Sequence, residues 1–161
     1  MKQNELIPFT FKDTGKTVLI RKVSPMLVFQ LSQDFPPPAP PMVEVTYGEA
    51  EKVMEPNPAD PAFAEALRDY HRDFNLKTQR MMIKRGVSLV FDDDMKAEVA
   101  EMREFYRNEF GKEIGVDDHM IYVTMICVGT DSDLEELLNA ITRRSQPTEA
   151  AVDAAKDTFQ S

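Results

Sequence analysis

Asp117-Asp118-His119 sets two carboxylates beside an imidazole, a combination with the donor chemistry of a divalent-metal site. Such sites gather three or four ligands at recognisable spacing, and no second histidine stands four residues from His119 or from His71. The reading adopted is that the aspartates cap a helix start and that His119 is exposed. Asp92-Asp93-Asp94 has the charge to hold magnesium or calcium but lacks the alternating ligands and distal glutamate of an EF-hand loop. It too reads as negative charge at a helix amino terminus. Cys127 lies between Ile126 and Val128, an apolar setting that raises a thiol pKa, so it reads as a buried small hydrophobe rather than a nucleophile. Glu98 and Glu101 fall on an exposed helical face, where no burial tunes them for acid-base work. The six glycines form neither a Walker loop nor GxGxxG. No catalytic, cofactor-binding or metal-ligating residue is therefore assigned, and an enzyme is not expected.

The elements that would position these residues change character along the chain. Phe9 and Phe11, then Val18 and Ile20, alternate with polar neighbours across Asp13-Thr14-Gly15-Lys16, which predicts a hairpin. Ser24-Pro25 opens a short helix running to about Asp34. Pro36-Pro37-Pro38-Ala39-Pro40-Pro41 then removes five backbone donors in six positions and predicts an extended path. A second, polar hairpin follows, with Val43, Val45 and Tyr47 before the turn at Gly48-Glu49-Ala50 and Glu51-Lys52-Val53-Met54 after it. The stretch from Pro36 to Pro61 has few large apolar groups and reads as an arm rather than a domain.

From Asp60 the period becomes 3.6, with Phe63, Leu67, Tyr70, Phe74 and Met81 on one face and Gly86 as the stop. Val87 to Phe91 fits either strand or helix. Met95, Val99, Met102, Tyr106 and Phe110 make the next helix amphipathic, and Gly111 ends it. His119 to Val128 reads as a central helix, apolar on nearly every face. Ser132-Asp133-Leu134-Glu135 matches a capping box before Leu137, Leu138 and Ile141, and Ala150 to Phe159 reads as a last helix. The predicted architecture is α+β: amino-terminal β-hairpins with a proline-rich arm, then a mainly helical bundle. Its segments are residues 1–35, 36–61, 62–145 and 146–161.

The chain has 161 residues, 42% of them apolar and 29% charged, with a formal charge of −9. That length suits one proper core, and that apolar fraction argues against disorder throughout. The negative charge argues against a nucleic-acid surface, because such affinity is mostly cation-phosphate neutralisation. The longest apolar run, Met120 to Val128, is broken by Thr124 and is far short of the ~20 residues a membrane span needs. No apolar stretch near Met1 suits a signal peptide, and a single cysteine excludes an internal disulfide, so cytosolic synthesis is expected.

Two features point to partners. Ten methionines offer adaptable thioethers; Met95, Met102 and Met125 read as core, whereas adjacent Met81-Met82 cannot both face one core. At least one of that pair is expected to be exposed or to touch another chain. Charge is also segregated: Asp60 to Gly86 holds six basic residues against four acidic, whereas Asp92 to Asp118 holds ten acidic against four basic.

Pro36 to Val45, the turn at Gly48, and Met54-Glu55-Pro56-Asn57-Pro58-Ala59-Asp60-Pro61 resemble the tail assembly chaperones of long-tailed bacteriophages. The ending Arg144-Ser145-Gln146-Pro147-Thr148-Glu149-Ala150-Ala151-Val152, followed by Phe159, is similar to the end of the short form in that group. The resemblance covers the arm and the carboxyl terminus, while the first hairpin agrees only in type. It implies a non-catalytic protein of the host cytoplasm that coats the tape measure protein and recruits tail tube subunits, without cofactors. It transfers no catalytic residue. Partner contacts are expected at Pro37, Pro38, Pro40, Pro41, Met42, Tyr47, Met81 and Met82, with self-association as a further contact and neither nucleic acid nor membrane as a partner. A virion structural subunit of the tail or head-tail region, an acidic DNA-mimic inhibitor and a small hydrolase are the rival readings, the last without a nucleophile-base pair to name. The net-basic stretch from Asp60 to Gly86 counts against the mimic.

Overall fold

A computed structural model describes residues 5–49 and 51–145. In chain order the elements are β1 (Ile7–Thr10), β2 (Thr17–Ile20), α1 (Pro25–Asp34), β3 (Met42–Tyr47), β4 (Glu51–Pro56), α2 (Pro61–Gly86), β5 (Val87–Ser88), α3 (Asp93–Phe110), α4 (Asp118–Ile121) and α5 (Asp131–Ser145), with a π-helical segment, Tyr122–Cys127, between the last two. This is the α+β order that the change of period predicts. The predicted helix at Ala150 to Phe159 lies outside the described residues.

The described residues form two compact units, one made of residues 5–25 together with 79–145, the other of residues from Met26 to Thr78. In the first, β1 and β2 pair antiparallel around a turn in which Gly15 takes φ 72°, a conformation that suits a residue without Cβ. β5 joins the free edge of β2, giving the order β1-β2-β5. Period two then sorts the side chains: Val18 and Ile20 are buried while Thr17 and Leu19 face out. Phe11, Val18, Ile20 and Val23 are buried, as are Ile83, Val99, Ile121, Leu137 and Ile141. Each such side chain contributes about 1.5–3 kcal/mol on leaving water. The inward residues of the first hairpin therefore belong to the same compact unit as the later helices.

The helix ends follow their caps. Asp92 accepts from the Met95 amide at 2.8 Å, Asp117 accepts from the Met120 amide at 2.9 Å, and Gly111 closes α3 with φ 65°. Gly86 ends α2 without a left-handed turn. Its missing Cβ makes room for Ile141, so packing, not chain reversal, requires glycine there. The box at the start of α5 also differs from the sequence reading. Thr130 Oγ1 accepts from the Asp133 amide at 3.2 Å while Asp133 Oδ2 accepts from the Gly129 amide at 3.2 Å, two residues earlier than Ser132 and Glu135. Asp133 is buried, and Asp13 of the first turn lies directly against Gly129.

In the second unit the proline run at residues 36–41 has neither helix nor strand. β3 and β4 pair antiparallel from Met42↔Pro56 to Tyr47↔Glu51, and the Asn57 amide donates to the Pro41 carbonyl at 2.8 Å, closing the base of the hairpin. Asp60 Oδ1 accepts from Ala62 at 2.8 Å and so caps α2. Phe63, Leu67, Tyr70 and Phe74 are half-buried at helical spacing. The Tyr70 hydroxyl donates to the Phe35 carbonyl at 2.7 Å, and Lys77 Nζ stands 5.0 Å from the Phe35 ring centroid. The arm is thus one part of a unit that also holds most of α1 and the first turns of α2.

Candidate functional site

Several of the residues singled out for their chemistry make structural contacts. Asp117 caps α4 and lies 3.7 Å from Lys84, while Asp118 takes Arg103 at 2.7 Å. His119 is half-buried rather than exposed, because its ring packs toward β5 and Nε2 lies 2.8 Å from the Val87 carbonyl. Its Nδ1 is buried without a hydrogen-bond partner. Asp117, Asp118 and His119 therefore serve three different partners, and among the described residues no group of three His, Cys, Asp or Glu side chains is placed to hold a metal. His71 is exposed beside Tyr70.

Cys127 is fully buried, as its apolar neighbours predict. Burial pushes its thiol up to about 11 despite the hydrogen bond to the Tyr122 side chain, which pulls the other way. Tyr122 is pushed up to about 12, chiefly by burial. Thr14 of the first turn donates to the Cys127 carbonyl at 2.7 Å. Lys16 reaches Glu98 at 3.0 Å and stands 5.8 Å from the Tyr122 ring centroid.

The expected partner residues fall into different environments. Pro37 and Pro41 are exposed and Pro38 and Pro40 half-buried. Met42 and Tyr47 are about half exposed, at 53% and 52%. The Tyr47 hydroxyl bonds the Glu55 carboxylate, which raises its pKa. No residue of β3 or β4 is buried, and Met42, Val43, Tyr47, Val53 and Met54 all count as exposed. By strand register Val43, Val45, Tyr47 and Val53 occupy one face, Met42 and Met54 the other. Met81 and Met82 belong to the other compact unit, and both are half-buried beside the buried Ile83, so neither is exposed.

A second apolar surface lies where the sequence reading did not place one. Met102, Phe105, Met125 and Ile126 line a cleft of about 450 Å³ between α3 and the π-helical segment, with Glu98 and Glu101 on its border. Met125, read from sequence as core, is 40% exposed because the wider π coil turns it out. Phe105 sits off the apolar stripe of α3, and that displacement is the signal available in sequence. Phe110, counted within the stripe, is exposed at the helix end, against Tyr106.

No helix among the described residues is long and apolar enough to cross a membrane. No family model, no curated protein and no solved structure matches the chain.

Proposed function

We propose that this chain is a non-catalytic tail assembly chaperone of a long-tailed bacteriophage, acting in the host cytoplasm to bind the tape measure protein and recruit tail tube subunits. The observation that carries the reading is the β3–β4 hairpin, whose apolar side chains all remain outside any core. A two-stranded sheet is marginal in water by itself, and its unpaired edges and apolar groups favour association. The prolines before it reduce the entropy that a bound arm loses. A tape measure protein, as a long helical chain with exposed apolar stripes, offers a matching surface, and the chain's −9 charge would keep a coated complex in solution.

Co-expression with the tape measure protein encoded by the same phage tests this. The two should co-purify, tail tube protein should join only when both are present, and purified virions should lack the chain. Failure of the wild-type protein to retain the tape measure would overturn the reading. An abundant band in purified virions would instead assign the chain to the tail structure.

A further inference from the structure

We propose that the cleft between α3 and the π-helical segment is a docking groove for a partner helix whose apolar stripe is flanked by lysine and arginine. The inference stands apart from the tail-assembly reading, since it rests on a different surface and on different residues.

Two of the four apolar residues in the cleft are held open to solvent: Phe105 is 56% and Met125 is 40% exposed. Met102 and Ile126 are half-buried beneath them. Large apolar groups gathered in a concave site, rather than scattered singly, mark an interaction surface. A groove between helical elements with adaptable methionines suits the apolar face of a helix.

Charge selects which helix. Asp94, Glu98, Glu101 and Phe105 follow the spacing that places residues on one face of α3. Glu98 already holds Lys16 at 3.0 Å, but neither Asp94 nor Glu101 has an ion pair among the described residues. The basic residues further along α3 are committed elsewhere. Arg103 binds Asp118 at 2.7 Å and Arg107 binds Glu113 at 2.6 Å. With Glu98 paired, the border of the apolar floor keeps one uncompensated negative charge, at Glu101, which attracts a basic flank and repels an acidic one.

The test uses the full chain and two synthetic helical peptides that share a leucine stripe at positions i, i+4 and i+7. One carries lysine beside the stripe and the other glutamate. Fluorescence anisotropy should show binding of the lysine peptide, weakened by added salt, and no binding of the glutamate peptide. Phe105→Ser and Met125→Lys should each weaken binding by about tenfold or more. Glu101→Lys, an exposed change that leaves the apolar floor intact, should weaken it by about two- to fivefold and reduce its salt dependence. Thermal melts of each variant establish that it is folded. Equal binding of both peptides, or unchanged binding in folded Phe105→Ser and Glu101→Lys variants, would overturn the proposal. So would a dimer in sedimentation experiments that Met125→Lys dissociates, because the occupant would then be a second copy of this chain.

Discussion

A Cβ added to Gly86 would lie 2.8 Å from Ile141 Cγ2 and 2.9 Å from its Cδ1. The last residue of α2 and a fully buried residue of α5 thus meet at a distance only glycine permits. The backbone at Gly86 is not left-handed, so alanine meets no conformational barrier there and the penalty is steric. Gly86→Ala should lower stability in urea by about 1–3 kcal/mol. Ile141→Val in the same chain should recover part of that loss, which a double-mutant cycle reads directly. A Gly86→Ala protein as stable as wild type would show that Ile141 has room to move.

What the sequence revealed is what neighbours along the chain decide. The first hairpin is written in alternation and a glycine turn, and the helix starts in Asp60, Asp92 and Asp117, each of which caps through its own side chain. Gly86 stands where a helix stop belongs, yet its packing role depends on Ile141, which no local pattern connects to it. At α5, Thr130-x-x-Asp133 and Ser132-x-x-Glu135 have the same spacing. The fold uses the first, with Asp133 buried and accepting from the Gly129 amide, and spacing alone does not choose between them. The first turn also bonds Cys127 and Glu136, 113 and 124 residues away, and no periodicity carries such contacts. The cleft at Phe105 was half legible: a phenylalanine outside the apolar stripe signals exposure, but exposure of Met125 follows from a π-helical coil that the sequence did not announce.

Arg103 should be a stabilising residue of the first unit. Its guanidinium binds Asp118 at 2.7 Å and donates to the carbonyls of Val116 at 3.1 Å and Ile114 at 3.4 Å, tying α3 to the loop before α4. Lysine lacks the planar fork that serves three acceptors together. Both Arg103→Ala and Arg103→Lys should cost about 1–3 kcal/mol in urea unfolding, with lysine recovering less than half. Full recovery by lysine would reduce the contact to simple charge attraction.

Cys127 and Tyr122 should make the protein alkali-sensitive. Their ordinary values of 9.0 and 10.0 rise to about 11 and about 12 in the folded chain, first because burial penalises the charged forms. A raised folded pKa means that the unfolded chain loses its proton first. The associated stability is therefore fully present below about pH 9 and is lost as pH climbs through 11 to 12. Melting temperature should fall across that window, and Cys127→Ala should flatten the lower part of the fall. At neutral pH a thiol reagent should modify Cys127 only as fast as the protein opens. Rapid labelling of the native chain would contradict its burial.

The β3–β4 hairpin should be removable with little effect on the core of either unit. The Asn57 amide to Pro41 carbonyl bond is 2.8 Å, so the two ends of the excursion already touch and a short Gly-Ser linker can join them. None of the strand residues is buried, so deletion exposes little apolar surface that folding had covered. Ordering the excursion costs about 1–2 kcal/mol per residue for the backbone alone, and half-exposed valines and methionines offset only part of that at ~25 cal/mol per Å². On the proposed function, a bound partner supplies the remainder. Replacing Met42–Pro56 with such a linker should keep the melting temperature within a few degrees while abolishing retention of the tape measure protein. Unfolding with retention unchanged would mean that the hairpin is structural support and that partner binding lies elsewhere on the chain.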